Sequence, residues 1–245
     1  MQALSEPTSR ELLISVMVDL LAGCRFVAVG ASSPMPGAAA LLARARSAGA
    51  LRISILGSSA HNFFTDGGVE LFDCAAQGRI DAFVLGGGQI DGQGNINLVG
   101  IGAYPTGAKR WGGSFGSAYL YFLVPRVILF RKEHTRRVMV EKVDFISAPG
   151  SSAEGVYRRG GPFALLTSLA LFDFDGGRKC FRLRSVHTGH SLEEVLDNTG
   201  FGFDRPERVP TTPAPDAETL ALIRGPVRAE IAEAYPRFAA AGFGT

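Results

Sequence analysis

The segment VLGGGQIDGQGNINLVG, Val84 to Gly100, passes from an apolar strand-like stretch into Gly86, Gly87 and Gly88, then into Gln89, Asp91, Asn95 and Asn97. A glycine inside regular structure costs about 0.5–1 kcal/mol relative to alanine, so a cluster is kept where the backbone must come close to something. Bare amides can hold a carbonyl oxygen or an oxyanion; a tight turn between packed elements is the plain alternative. A second cluster, GGSFGSAY, offers Gly112, Gly113, Ser114, Phe115 and Gly116 and poses the same choice. Two polar glycine clusters this close in the chain favour a ligand. The first fails the spacing of a dinucleotide fingerprint, and no helical pattern follows it. The second has the letters of a Gly-x-Ser-x-Gly elbow but follows YPTGAKRW rather than a strand, so a hydrolase triad is not indicated.

Histidine is the side chain whose charge changes near neutral pH, and His61 in SSAHNFFTDGG lies in a loop after a strand, where it is a candidate general base. Hydrogen bonding of the turn is its structural alternative. Asp66 and Glu70 are nearby acids, Asp66 reading better as a turn or cap residue. His187 and His190 in VHTGHS read as caps of the helix that follows, and Arg131, Lys132, His134, Arg136 and Arg137 as a solvated strand-to-turn segment or an anion site. Cys24, Cys74 and Cys180 share no metal-type spacing, so no metal site is expected, and their odd number points to a reducing compartment.

The elements that must position these residues are legible from pattern. Thr8 and Glu11 form a capping box before LLISVMVDLLAG, and Gly23 stops that helix. Strand RFVAVGAS, helix PGAAALLARARSAG, strand LRISILG, helix GGVELFDCAAQG and strand IDAFVLGGG follow in alternation. Strands apolar on both faces alternating with helices predict a parallel sheet covered by helices. The loops Gly30–Ser33, Gly57–Ser59 and Gly86–Gly88 are then expected at the carboxyl edge, where ligands bind such sheets. Beyond Gly100 the pattern predicts strands at PRVILFR, VEKVDFISAPG, FALLTSLALFDFD and KCFRLRSVH. It predicts helices at SLEEVLDNTGF, with Ser191 and Glu194 as a second capping box and Gly200 as its stop, and at APDAETLALIRGPV. DRPERVPTTPAP reads as a surface connector, and with no repeat or linker evident, residues 1–245 are expected to form one domain.

The 245 residues are 46% hydrophobic and 20% charged, with a formal net charge of +2, which points away from nucleic acid and membrane partners. MQALSEPTSRELL lacks the basic, apolar, small order of a signal peptide, and a cytoplasmic location is expected.

LGGGQIDGQGNIN, KRWGGSFGSAYL, EKVDFISAPG, LLTSLALFDFD, LRSVHTGHSLEEVLDNTGF and ETLALIR, in this order, resemble the β subunits of family I coenzyme A transferases, those of the glutaconate CoA-transferase type most of all. The resemblance implies an open, mostly parallel α/β sheet flanked by helices, of the kind shared with ribose-5-phosphate isomerase. It implies a chain that is half of a heterodimer or heterotetramer, with an α subunit of similar fold and the active site at their junction. Coenzyme A would enter as part of an acyl-CoA substrate, with no cofactor permanently bound. Gly57, Ser58, Gly86, Gly87, Gly88, Gln89, Asp91, Asn95, Gly112, Gly113, Ser114, Phe115 and Gly116 would line the thioester and its pantetheine arm, with Gln89, Asp91, Asn95 and Asn97 also rigidifying the first loop.

In transferases proper, a β-subunit glutamate attacks the thioester and forms first an anhydride and then a glutamyl thioester. Here no carboxylate occurs between Leu51 and Phe64; Ile55 or a neighbour stands at the corresponding place, and Phe115 replaces a glycine of the second loop. CoA transfer between carboxylic acids is the first expectation. Hydrolysis of a carbon–carbon bond or the thioester, or decarboxylation, on the same scaffold is the second, with His61, Asp66, Glu70 or an acid of the partner as base. A non-catalytic acyl-CoA-binding subunit is the third.

Overall fold

A computed structural model describes residues 6–242. In chain order the elements are α1 (Ser9–Leu20), β1 (Phe26–Val29), α2 (Pro34–Arg46), β2 (Arg52–Ile55), α3 (Gly67–Ala76), β3 (Ala82–Leu85), β4 (Gln89–Ile90), β5 (Ile96–Asn97), β6 (Gly100–Ile101), β7 (Lys109–Arg110), α4 (Ser117–Leu123), β8 (Arg126–Arg131), β9 (Pro162–Thr167), β10 (Ala170–Asp175), β11 (Cys180–Val186), α5 (Leu192–Asn198) and α6 (Ala217–Leu222). A π-helical turn (Ile223–Val227), α7 (Arg228–Ile231) and α8 (Pro236–Ala240) complete them. The chain divides into two compact units, one holding residues up to Val84 and from Ala214 onward, the other Leu85–Pro213.

In the first unit β1 lies between β2 and β3 and runs parallel to both, with Val27 opposite Ile53 and Ala82. Every residue of β1 is buried, as in a strand covered on both faces. The Thr8 hydroxyl accepts from the Glu11 amide at 3.3 Å while the Glu11 carboxylate accepts from the Thr8 amide at 2.8 Å, so the expected capping box opens α1. Helix α2 begins on Pro34 and buries Ala38 to Ala43; a Cβ at Gly37 would come within 2.9 Å of Ile231 Cδ1, so α7 seats where the helix is bare. The predicted helix APDAETLALIRGPV is interrupted. Pro226 has no amide hydrogen for the ladder, and a π turn carries the chain from α6 into α7.

In the second unit the sheet order is β11–β10–β9–β8, with β8 parallel to β9 and the other pairs antiparallel. FALLTSLALFDFD forms two strands, because the Thr167 hydroxyl accepts the Leu169 and Ala170 amides at 3.2 and 3.1 Å and folds the chain back. The strand expected at VEKVDFISAPG does not form. Backbone groups of the β4–β5 and β6 segments there bond to side chains: Gly102 N donates to Asp144 at 2.9 Å and Leu98 N to Ser147 at 3.0 Å, leaving single bridges at Met139 and Ala148 instead of a ladder.

Two histidines expected near the surface are core residues. His134 is held between the hydroxyls of Thr167 (2.7 Å) and Thr199 (2.9 Å), and burial lowers its pKa to about 4. His187 meets the Thr212 hydroxyl at 2.8 Å and donates through Nε2 to the Thr167 carbonyl at 3.0 Å; burial likewise lowers its pKa to about 4. Arg136 and Arg137 are exposed, as expected of that segment. Ser191 caps α5 by accepting from Glu194 N at 3.1 Å, but the Glu194 carboxylate turns to His190 Nδ1 at 2.8 Å, so the reciprocal half of the second capping box is missing.

Candidate active site

The first glycine cluster ends in a hairpin. Gly88 N donates to the Asn97 carbonyl at 2.9 Å, and β4 pairs antiparallel with β5. Asp91 closes the turn: Oδ1 accepts the amides of Gln93 and Asn95 at 3.0 and 3.1 Å, and Oδ2 accepts Asn95 Nδ2 at 3.0 Å. Asn97 Nδ2 donates to Gln89 Oε1 at 2.8 Å and to the Gly100 carbonyl at 2.7 Å. Gln89 Nε2 donates to Asp144 at 3.1 Å, and Asn95 Oδ1 accepts Gly150 N at 3.0 Å. Gln89, Asp91, Asn95 and Asn97 are all buried and bonded to one another or to neighbouring backbone. These side chains set the shape of the hairpin.

The bareness of Gly87 and Gly88 is required from within the protein. A Cβ at Gly87 would come within 2.7 Å of Ile96 Cγ2 and 2.9 Å of the Gln89 carbonyl; one at Gly88 would enter the Trp111 ring, 2.7 Å from Cε3. Gly86 is the exposed member, with the Phe130 carbonyl 3.3 Å from where its Cβ would stand.

The Trp111 indole on Gly88 brings the second cluster to the first, since Gly112 is the next residue. This loop lies open. Gly113 has φ +101°, Phe115 φ +45° and Gly116 φ +78°, and Ser117 N donates to the Ser114 carbonyl at 2.8 Å to close the turn into α4. A bulky residue at positive φ is a true outlier, costing on the order of 1–3 kcal/mol, and such positions gather at functional sites. The Phe115 ring is 84% exposed, so nothing it packs against offsets that cost. Below it the Ser117 hydroxyl is buried with no hydrogen-bond partner.

His61, Gly57 and Ser58 lie in the first unit. Gly57 takes φ +92°, turning the chain after β2. Ser58 Oγ donates to Glu233 Oε2 at 2.5 Å and accepts His61 N at 2.9 Å, and Ser59 N donates to Glu233 Oε1 at 2.7 Å. These donors hold the Glu233 carboxyl below its ordinary pKa. His61 Nδ1 lies 3.2 Å from Arg44 Nη1, and its Nε2 lies 3.4 Å from Glu230 Oε2. A guanidinium only donates, so Nδ1 is the accepting nitrogen and Nε2 carries its proton toward Glu230. Both ring nitrogens are therefore engaged. Glu230 and Glu233 went unnoticed in the sequence because about 170 residues separate them from the loop they hold. Glu70 closes the start of α3, accepting the Thr65 amide at 2.6 Å and its hydroxyl at 2.9 Å, while Asp66 at the N-cap position makes no side-chain cap bond. Among the described residues no three His, Cys, Asp or Glu side chains converge as metal ligands.

The coenzyme A transferase family matches residues 27–198. The chain belongs to that family. Among its relatives, a glutaconate CoA-transferase subunit of Acidaminococcus fermentans is 33% identical over 153 residues, covering 60% of this chain and 56% of the relative. The cholesterol ring-cleaving hydrolase IpdB subunit of Rhodococcus jostii is 32% identical over 159 residues, covering 63% and 62%. This coenzyme A transferase family chain thus spans less than two thirds of the length of those relatives. In three dimensions a crystal structure of the A. fermentans glutaconate enzyme superimposes with a TM-score of 0.78 at 24% identity, over 91% of this chain and 97% of the other. The decarboxylase AibA/AibB gives 0.77 at 23% identity over 98% and 100%. The expected fold, an open and mostly parallel α/β sheet flanked by helices, is that of these family members.

Proposed function

We propose that the chain is the β subunit of a heteromeric CoA-transferase-family enzyme that binds an acyl-CoA thioester and moves CoA between carboxylic acids. Its partner on this reading is an α subunit of the same family in a heterodimer or heterotetramer, and CoA enters only as part of the substrate. The carrying observation is the junction of the two glycine clusters through Trp111 and Gly88, with Gln89, Asp91, Asn95 and Asn97 as an internal brace. Amides of Gly86 and of the open Gly112–Gly116 loop would face the thioester oxygen, where fixed donors stabilise developing charge; the Gly88 amide is already given to the Asn97 carbonyl. In the transfer, an enzyme carboxylate oxygen attacks the thioester carbon and expels the CoA thiolate; the thiolate attacks the enzyme's carboxyl carbon and releases the first acid, and the second acid then runs the two steps in reverse, leaving as its CoA thioester and restoring the enzyme carboxylate. The three cysteines are free and no helix among the described residues is long and apolar enough to cross a membrane, which accords with a cytoplasmic place of work.

One observation favours a second reading, hydrolysis or decarboxylation of an acyl-CoA without a covalent relay: no carboxylate occurs between Leu51 and Phe64. The similarity to a ring-cleaving hydrolase and to a decarboxylase accords with it. His61 is the base this chain offers, and it can accept a proton only after Nδ1 is released by Arg44. The test is to assemble the chain with its α subunit, add acyl-CoA and borohydride, and digest both chains. A reduced glutamyl adduct on either chain establishes transfer through a covalent relay. Turnover with no adduct establishes the second reading, and a pair that neither binds nor turns over acyl-CoA refutes both.

A further inference from the structure

The transfer proposed above needs an enzyme carboxylate, and the loop that follows β2 has none of its own. Folding brings one to it from the far end of the chain. Glu233 stands in the turn between α7 and α8, and that turn is pinned on both sides: Ile231 is buried where α2 is bare at Gly37, and the Tyr235 hydroxyl accepts Ser33 N at 3.2 Å. Arg228 Nε donates to the Ala239 carbonyl at 3.0 Å and ties α7 to α8. The C-terminal turn therefore meets the loops after β1 and β2, at the carboxyl edge where ligands bind such sheets. All of these contacts lie within the first unit.

Two acids of this segment reach the loop after β2, and they differ in what holds them. Glu230 Oε2 accepts Arg44 Nη2 at 2.5 Å, so a guanidinium neutralises it. Glu233 is held by neutral donors, the Ser58 hydroxyl on Oε2 at 2.5 Å and the Ser59 amide on Oε1 at 2.7 Å. A carboxylate can accept about four bonds, so one donor on each oxygen leaves each a lone pair. These donors, Ser58 before Ser59, hold the Glu233 pKa below its ordinary value, and the group is ionised at neutral pH. Glu233 is exposed, as are Ser59 and Gly57, and the Gly57 backbone borders open space. The carboxylate is thus fixed in place, charged and reachable, as an attacking oxygen must be.

We propose that Glu233 is the carboxylate through which this chain transfers CoA. The inference rests on the transfer reading above and assigns the residue that the loop after β2 lacks. Glu233 Oε2 attacks the thioester carbon; a carbon–oxygen bond forms, the carbon–sulfur bond breaks, and CoA leaves as its thiolate from an acyl–glutamyl anhydride. The thiolate then attacks Cδ of Glu233, the Cδ–Oε2 bond breaks, and the first acid departs as its carboxylate from a glutamyl thioester. In that second attack negative charge develops on Oε1, where the Ser59 amide already donates, and Oε2 takes up charge as it leaves, where the Ser58 hydroxyl donates. The second acid runs both steps backwards and restores the Glu233 carboxylate.

The test locates the intermediate on the assembled pair of subunits. Acyl-CoA is added, borohydride reduces a glutamyl thioester to the alcohol with release of CoA thiol, and peptides of both chains are mapped by mass spectrometry. The reduced side chain is expected at Glu233, a result that needs no variant to fold. Glu233→Gln keeps an acceptor for Ser59 N and removes the nucleophile; it should give no adduct and lower kcat about a thousandfold or more, with calorimetric affinity for acyl-CoA within about twofold of the parent. A variant that keeps the parent kcat, or that loses affinity along with kcat, shows Glu233 to be only a clasp for the loop and overturns the proposal. An adduct at any other acid, on either chain, overturns the assignment and leaves the transfer reading standing. Turnover with no adduct overturns the assignment together with the transfer reading. A pair that neither binds nor turns over acyl-CoA refutes the acyl-CoA reading and this inference with it.

Discussion

Acidification from pH 7 to pH 5 should cost this protein several kcal/mol of stability through two buried imidazoles. His134 and His187 are 4% and 2% exposed, each with both ring nitrogens bonded inside the core, and each has its pKa lowered by burial from 6.5 to about 4. In the unfolded chain both rings take up a proton near pH 6.5, while in the folded chain they stay neutral until about pH 4. The unfolded state therefore binds more protons between those values, and stability falls as pH falls through that window. With one pKa unit worth 1.36 kcal/mol, each ring accounts for about 2 kcal/mol of loss at pH 5 and about 3 at pH 4. Urea unfolding followed by the fluorescence of Trp111, the single tryptophan and a residue of the same unit, reads the effect directly. His134→Gln and His187→Gln should each be less stable than the parent at pH 7. Each should also lose about 2 kcal/mol less than the parent on going to pH 5. Differences between variant and parent cancel every other titrating group. If the variants and the parent lose stability in parallel between pH 7 and pH 5, the two rings are not the groups that fix the acid limit, and the reasoning fails.

Three further outcomes follow from single contacts. Glu11 is fully buried, and its carboxylate takes two bonds from Arg224; burial raises its pKa, but the Arg224 and Thr8 donors outweigh this and hold it below 4.5. Glu11→Gln should therefore cost about 3 kcal/mol in urea unfolding at neutral pH, and the gap to the parent should narrow as pH falls below 4.5 and the parent carboxylate protonates. Gly88→Ala forces a methyl group into the Trp111 ring and should cost about 1–3 kcal/mol with a shift in tryptophan emission, whereas Gly86→Ala, at the exposed position, should change stability by less than about 1 kcal/mol. Phe115→Gly removes a bulky side chain from φ +45° at little loss of packing, so thermal unfolding should show a gain of about 0.5–1 kcal/mol; a loss of more than about 1 kcal/mol would mean the exposed ring has a partner in solution.

What could be read from sequence was whatever a local rule decides. The Thr8–Glu11 box, Pro36 in the first turn of α2 and the left-handed Gly78 after α3 each act within a few residues, so α1, α2 and α3 and the strands between them stand close to where pattern placed them, α2 starting two residues earlier, at Pro34. Local pattern failed where a distant group supplied the missing bond. VEKVDFISAPG has the alternation of a strand, but Asp144 and Ser147 spend their side chains on the backbone of the β4–β5 and β6 segments, so the ladder is replaced from outside. His134 lies among cations in sequence and between two threonines in space, because Thr167 and Thr199 come from β9 and from beyond α5. The site divides in the same way. That Gln89, Asp91, Asn95 and Asn97 rigidify the first loop came with the family resemblance, and the structure supplies the reason: Asp91 and Asn95 close one turn, and Gln89 and Asn97 face each other across one hairpin. That Gly87 and Gly88 are bare for Ile96 and Trp111 was not legible, because glycine records only that a side chain is excluded and leaves open what excludes it. A cluster of glycines is therefore evidence for a ligand only at those positions, here Gly86 and the Gly112–Gly116 loop, where the protein itself leaves the backbone open.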